Sequence, residues 1–569
     1  MFNCECFYWN RPIGFDYSSP EPQPFSFPSP LPKWPQGQGF ATGRIHLGEL
    51  EVFQVTECES VWSCMPLHEK AKGVTFYKPV GIPDGFYCLG HYCQPNDKPL
   101  RGFLLVAREA AASKTEAGCL DNSLIDLPAL RKPVDYSLIW STDSQYGCCG
   151  YFWLPNPPVG YKAMGMVVTS TPEEPEPEEV RCVRKDLTAC CETYEVILSI
   201  DSTYSKFPFQ VWSHRPCIRG MFARGVSVGT FYCGTYLSSE EKLDIACLKN
   251  LDPTLPAMPN LIQIHALIKH YGPTVFFHPD EEYMPSSVPW YFKNGALLYK
   301  EGKKKGVPID CRGSNLPCGG ENDGAFWMDL PFEDEAKNYL KKGNFESAEV
   351  YVHVKPMLGG TFTDIAMWVF CPFNGPATLK IGLVTMEMTK IGEHVGDWEH
   401  FTLRVNNFSG ELWQVYFSQH WGGEWVDAFN LEFIEGNKPV VYSSKHGHAS
   451  YPHAGTYLRG PLKLGIGVMD KCAQSKFIVD SSTKYQMIAA EYLGDGAIIE
   501  PFWLQYMREW GPTIVYSARI EADKIINLLP FLVRFSVENL FDLFPTELYG
   551  EEGPTGPKEK DNWFGDERW

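Results

Sequence analysis

The sequence predicts a mainly β protein: a pseudo-symmetric, β-prism-like repeat domain followed by a β-sandwich with short peripheral helices. Three observations point there. Aromatics make up 14% of the chain and stand among 45 Pro and 50 Gly, a mix that suits short strands joined by many turns. Long helical periodicity is scarce, and a β-type pattern sets in from Phe40. A short motif also recurs. Pro83-x-Gly85-Phe86-x-x-Leu89-Gly90 returns 75 residues later as Pro158-x-Gly160-Tyr161-x-x-Met164-Gly165.

A weaker third copy opens at Val211-Trp212-Ser213-His214-Arg215-Pro216 and closes at Gly225–Gly229. Units that recur in this way bury their faces against one another. The glycines suit turns with positive φ, and the prolines mark strand starts.

The elements follow in order. Residues 1–40 read as an irregular segment rich in Pro and aromatics. Residues 41–237 form the repeat domain, with the acidic Pro172–Glu179 as a solvated loop. Residues 238–272 read as a helical linker. Ser238-Ser239-Glu240-Glu241 gives an N-cap and an acidic first turn, and Pro253, Pro256 and Pro259 break the pattern. Asn260 then caps the helix LIQIHALIKHY, which Gly272-Pro273 stops. Residues 273–569 form the sandwich, with strands in AEVYVHVKP, IAMWVFCPF, FTLRV, WQVYFSQH and KPVVYSS. From about Pro501 to Leu548 short helices alternate with loops. The polar tail carries Trp563 and Trp569, which are expected to dock back.

Composition excludes several classes. The net charge of −19 repels nucleic acid, and the basic runs are short, such as Lys303–Lys305. The 19 Cys are scattered, with no C-x-x-C pair, and the N-terminus lacks a secretory signal pattern. Reduced thiols and a cytoplasmic setting, peripheral to a membrane at most, are expected. No run of eighteen apolar residues occurs; Ile525–Val537 is interrupted by Pro530 and Arg534.

Chemistry concentrates in GEHVGDWEHF, Gly392–Phe401. In a strand, Asp397 and Glu399 share one face, with Trp398 and His400 opposite. His394 precedes them and can fold back. Two carboxylates and an imidazole start a divalent-cation site, and an oxygen-rich set suits Ca²⁺, Mg²⁺ or Mn²⁺ better than Zn²⁺. Eight of the 14 His lie between 278 and 453. His448 is the expected fourth ligand. His420, His446 and Glu282 are expected around the site with Trp398. His446, His448 and Ser450 share a face if their segment is extended. The alternative is a solvated strand end or a buried hydrogen-bond network.

Two patterns are decoys. Gly225-Val226-Ser227-Val228-Gly229 fits G-x-S-x-G, but β-like TFYCGTY follows it where a nucleophile elbow needs a helix. Gly313–Gly324 is Gly-rich without the Gly-Lys-Ser/Thr ending of a phosphate loop.

The chain resembles plant members of the vacuolar protein sorting-associated protein 62 family. FSFPSPLPKWPQGQGFATGRIHLGELEV, PVGIPDGFYCLGHYCQPNDKPLRG, KIGEHVGDWEHFTLRV, HGHASYPHAG and GEEGPTGPKEKDNWFGDERW carry the resemblance, which spans nearly the whole chain. The repeats are similar to β modules of large vacuolar-sorting lipid-transfer proteins, which implies recruitment of partners at membranes. The DWE stretch resembles the GHRHDWE heptad of necrosis- and ethylene-inducing peptide-like toxins. That resemblance implies metal roles for His394, Asp397 and Glu399 and a sphingolipid head group as ligand. Gly396 stands where the toxins have a second His.

Two functions are weighed. One is a non-enzymatic, membrane-associated protein in trafficking or plant defence. Its cation-bearing sandwich meets a lipid head group or glycan, or its prism meets a membrane-associated protein, with Trp290, Trp421 and Trp425 available at an interface. The other is a metal-dependent hydrolase using the His/Asp/Glu cluster, with His420 or His446 as acid or base.

Overall fold

The computed structural model describes residues 22–64, 73–110, 127–142, 149–200, 209–234, 243–381, 383–388, 391–420, 422–459, 466–513 and 553–567, with a few positions between 526 and 538.

The N-terminal half is built from one six-segment unit used three times. In the second repeat the segments are Leu130–Arg131, Asp135–Ser141, Tyr151–Asn156, Tyr161–Lys162, Val167–Thr169 and Cys182–Arg184. The first, fourth and sixth pair into one sheet with the sixth in the middle. The second, third and fifth pair into another with the third in the middle. The third repeat copies this order with Thr188–Ala189, Cys191–Ile200, Phe209–Pro216, Gly225–Val226, Phe231–Gly234 and Cys247–Lys249. The first repeat matches it too, with its fourth segment reduced to the bridge between Tyr87 and Ala107. Sheets of the first kind enclose a core that includes Val52, Leu105, Met164, Val183 and Leu248. Those of the second kind enclose Phe76, Trp140, Phe152, Phe209 and Phe231.

The recurring motif glycines meet where the repeats converge. A Cβ on Gly165 would lie 2.3 Å from the Cβ of Thr230, and one on Gly90 would lie 3.2 Å from the Cα of Gly165. Only glycine permits that approach. Backbone hydrogen bonds hand the ring on: Arg181 N–H to Cys88 O, Ala246 N–H to Ala163 O and Leu105 N–H to Val228 O, each 2.9 Å. Each repeat donates to the one before it, and the first donates to the third.

The segment expected as a helical linker divides in two. Residues 235–242, with the proposed Ser-Ser-Glu-Glu cap, lie outside the described residues. Cys247–Lys249 is a strand, not linker, and closes the third repeat between Thr188–Ala189 and Gly225–Val226. Its apolar residues are recruited by that sheet, which overrides the weak helical pattern. The helix falls at Leu261–Tyr271, where Asn260 and Gln263 form a reciprocal capping box.

The sandwich has a six-stranded sheet in the order Gly422–Asp427, Leu412–Gln419, His394–Asn406, Phe362–Asn374, Val350–Met357, Tyr485–Ala489. A second sheet packs on it, with Thr274–Phe276 between Lys438–Ser443 and Ile478–Asp480. Val275, Val441 and Val479 meet Ile365, Phe401 and Val415, and Leu267 of the helix joins them. Each such fully buried side chain contributes about 1.5–3 kcal/mol. The opposite face of the large sheet is also covered, by aromatics. Tyr351, Phe370 and Trp398 lie under Trp503, Trp510 and Trp563.

Both ends of the chain strap this domain. Trp34 of the irregular N-terminal segment donates to Ser409 O at 3.1 Å. Trp563 docks as expected and stacks on His353 at 3.9 Å; Trp569 lies outside the described residues, as does most of the region from 514 to 552.

Candidate functional site

Strand parity sorts the motif as expected. Phe401, Leu403 and Val405 face the sandwich core, so Asp397 and Glu399 share that side. Trp398 points the other way, into the cluster with Tyr351, Trp503 and Trp510. Asp397 and Glu399 line a cleft of about 440 Å³ with His394 and His420. Its other wall is the docked tail, through Lys560, Asn562 and Glu567.

His394 opens the strand opposite Asn374. Its Nε2 stands 3.8 Å from Asp397 Oδ1, beyond hydrogen-bond range. Its Nδ1 is buried and has no hydrogen-bond partner among the described residues. Adjacent ligands on a hard cation, at about 2.1–2.4 Å and about 90° apart, sit roughly 3.0–3.4 Å from each other. The pair stands about half an ångström wider than a shared divalent cation needs. Burial holds the His394 imidazole below the ordinary histidine range, which favours the neutral, ligating form. Glu399 accepts from Ser418 Oγ at 3.0 Å through Oε2. Burial and the neighbouring Asp397 charge push its carboxyl up to about 8.

Gly396 adopts φ +72°, and a Cβ there would lie 2.5 Å from Trp510 O. The segment carrying Trp510 fills the place a side chain at 396 would need. That is the physical reason for glycine at this position of the motif.

His448 lies behind Asp397, inside the sandwich. Its Nδ1 meets Asp397 Oδ2 at 2.8 Å and its Nε2 meets Tyr283 O at 2.8 Å. Both ring nitrogens are engaged. Burial opposes its charge, but the Cys371 sulfur and the Asp397 carboxylate hold the imidazole well above the histidine range. Burial likewise pushes Asp397 up, yet the His448 hydrogen bond and charge leave it below the carboxylate range. The structure thus makes His448 the counter-ion that keeps Asp397 ionised.

His446 does not share a face with His448 and Ser450. His446 and His448 both adopt left-handed φ, +68° and +50°, so the segment is a turn and strand parity does not apply. His446 Nδ1 pairs with Glu387 at 3.0 Å. His420 Nε2 pairs with Asp470 at 2.9 Å, and Tyr451 donates to the same carboxylate. Glu282 is exposed, and the buried neighbour is Glu281. Glu281 accepts from the Glu282, Tyr283 and His446 backbone N–H groups and pins the histidine turn. Sequence reasoning missed Glu281, Asp470 and the tail residues. Asp470 carried a signal, being a lone acid inside the apolar strand Ile466–Cys472. Trp290 and Trp425 are half-buried, and Trp421 lies outside the described residues.

Ser227 follows the two-residue strand Gly225–Val226, and the strand Phe231–Gly234 comes next. No helix follows it, so the nucleophile elbow is absent there.

Fold and site together define a class: a two-module β protein, with a three-repeat prism beside a sandwich that carries an imidazole–carboxylate cleft. The chain belongs to the vacuolar protein sorting-associated protein 62 family, whose pattern matches residues 21–567. It is similar to Vacuolar protein sorting-associated protein 62 of Saccharomyces cerevisiae, at 30% identity over 159 residues, 24% of this chain and 32% of that protein. It is also similar to the Putative vacuolar protein sorting-associated protein TDA6 of the same yeast, at 22% identity over 302 residues, 44% of this chain and 60% of that protein. The chain therefore matches between a third and three-fifths of these relatives' length. Among solved structures, GNIP1Aa from Chromobacterium piscinae aligns at 17% identity and TM-score 0.27, covering 38% of this chain and 40% of that chain. NLPPya in complex with mannosamine aligns at 14% identity and TM-score 0.21, covering 41% and 76%. Among the described residues no helix is long and apolar enough to cross a membrane.

Proposed function

We propose that this protein is a non-enzymatic, membrane-associated member of its family whose sandwich cleft holds a divalent cation and, through it, a polar head group or glycan. The cation is of the Ca²⁺, Mg²⁺ or Mn²⁺ kind. One observation carries the reading: His394 and Asp397 present unshared donor atoms 3.8 Å apart in the cleft, with Glu399 beside them. Lys445 and Lys560 line the same cleft and would meet the anionic part of a ligand. The test is metal content of the purified chain and of Asp397→Ala/Glu399→Ala, with flotation on phosphatidylcholine vesicles that contain anionic or glycosylated lipid. About one Ca²⁺, Mg²⁺ or Mn²⁺ per chain, lost in the variant, and chelator-sensitive flotation are expected. No uptake of any of these ions would sink the reading.

One observation favours a hydrolase as the second reading. Glu399 is pushed up to about 8 while the neighbouring Asp397 is held ionised, the split that acid–base pairs use. Turnover of an ester or glycoside substrate that Glu399→Gln abolishes would favour it.

A further inference from the structure

A second constellation lies in the prism, far in sequence from the cleft. Cys191, His214 and Cys247 of the third repeat bring their ligand atoms within 4.8 Å of one another. His214 and Cys247 are buried and Cys191 is half-buried. Two sheet pairings assemble them. Cys191 starts the strand that pairs with Phe209–Pro216, which carries His214. Cys247 sits on the closing strand, opposite Ala189.

The histidine is oriented for ligation. Thr230 Oγ1 donates its proton to Met164 O at 2.6 Å. Its oxygen must therefore accept from His214 Nε2, 2.8 Å away. That fixes the proton on Nε2 and leaves the Nδ1 lone pair aimed at Cys247 Sγ, 3.8 Å distant. A metal-binding histidine is held in the same manner, its other N–H donated to a protein oxygen. With zinc–sulfur and zinc–nitrogen bonds of about 2.3 and 2.05 Å, tetrahedral S and N ligands stand roughly 3.6 Å apart. The His214–Cys247 spacing needs a shift of only a few tenths of an ångström.

The repeat symmetry argues that the cluster is not mere scaffold. Cys182 pairs with Arg131 as Cys247 pairs with Ala189, and Asp135 pairs with Asn156 as Thr193 pairs with His214. The positions in the second repeat that correspond to the triad are thus Pro133, Asn156 and Cys182. The same frame folds there with only one ligand-type residue.

We propose that Cys191, His214 and Cys247 form a zinc-class metal site in the third prism repeat, with the fourth position left to water or an exogenous donor. A thiolate-rich set selects a borderline-soft ion, whereas the oxygen-rich cleft of the sandwich selects a hard one. The two sites are independent.

The test is Co²⁺ and Zn²⁺ titration of the full chain under reductant, in the wild type and in Asp397→Ala/Glu399→Ala. Both should take up one Co²⁺ with a near-ultraviolet thiolate-to-cobalt charge-transfer band and intense visible bands. Zn²⁺ should bleach them. His214→Ala and Cys191→Ser/Cys247→Ser should lose at least tenfold in affinity with the charge-transfer band. Should the double variant fail to fold, zinc should still protect Cys191 and Cys247 of the wild type from alkylation, as read by mass spectrometry. Absence of a thiolate band in the folded wild type would overturn the proposal. So would a band unchanged in the variants with no zinc protection, or a native Cys191–Cys247 disulfide.

Discussion

Glu567 is the residue on which closure of the cleft turns. It sits near the end of the docked tail, with its side chain 1% exposed. It accepts from His400 Nε2 at 2.9 Å and Thr402 Oγ1 at 2.5 Å. Burial pushes its carboxyl up, but the His400 charge and hydrogen bond, with Lys355 and Thr402, bring it from 4.5 to about 2. A carboxyl depressed in the folded state stabilises above its unfolded value and loses that stabilisation as pH falls through the folded one. Two and a half units correspond to about 3 kcal/mol, fully present at pH 7 and mostly gone by pH 3. Glu567→Gln keeps the shape and removes the charge. Hydrogen exchange of the segment 553–567, corrected for the intrinsic pH dependence, reads the free energy of opening. The variant should open about 3 kcal/mol more easily at pH 7, a few hundredfold, and only about 1.4 kcal/mol more easily, about tenfold, at pH 3. A gap that does not narrow with acid would refute the reasoning, because the charge would then contribute nothing.

Other perturbations follow from the same geometry. His448→Ala strands the Asp397 carboxylate without its buried partner and should cost about 3–5 kcal/mol, read from thermal or urea melts. Gly229→Ala should cost at least about 3 kcal/mol, because φ is +84° and the new Cβ would lie 2.0 Å from Phe103 O. Gly85→Ala, at φ +80° with open space around it, should cost only the backbone term of about 1–2 kcal/mol, and a common urea melt separates the two. Arg219→Ala removes the prism's ion pair to Asp566 of the tail, 3.1 Å, and should loosen the tail by about 1 kcal/mol, with the difference shrinking in high salt.

Much of the fold was legible because period-two alternation and turn residues are local signals. The strands Val350–Met357, Phe362–Asn374 and Lys438–Ser443 fall where alternation or apolar runs put them. The capped helix Leu261–Tyr271 carried its own start and stop. The P-x-G motif was legible too, and its closing glycines mark the point where three repeats touch. The strand Cys247–Lys249 was not, because three residues hold too little periodicity to outweigh a nearby capping pattern. Only the sheet that receives them defines them.

The candidate site divides along the same line. Parity placed Asp397 and Glu399 together, since both lie on one strand. The choice of Glu281 over Glu282 depended on which carboxylate meets the backbone N–H of His446, a contact made across more than 160 residues. Strand spacing failed for His446 and His448 because their backbone turns left-handed, which no i, i+2 rule anticipates. Cys191, His214 and Cys247 are the extreme case. No metal-ligand spacing links them in sequence, and the 19 cysteines look scattered for that reason. In an all-β protein, ligands gather across paired strands, so their spacing is set by registers and loop lengths. A search by linear spacing finds sites on helices and loops, and passes over sites whose ligands each come from a different strand.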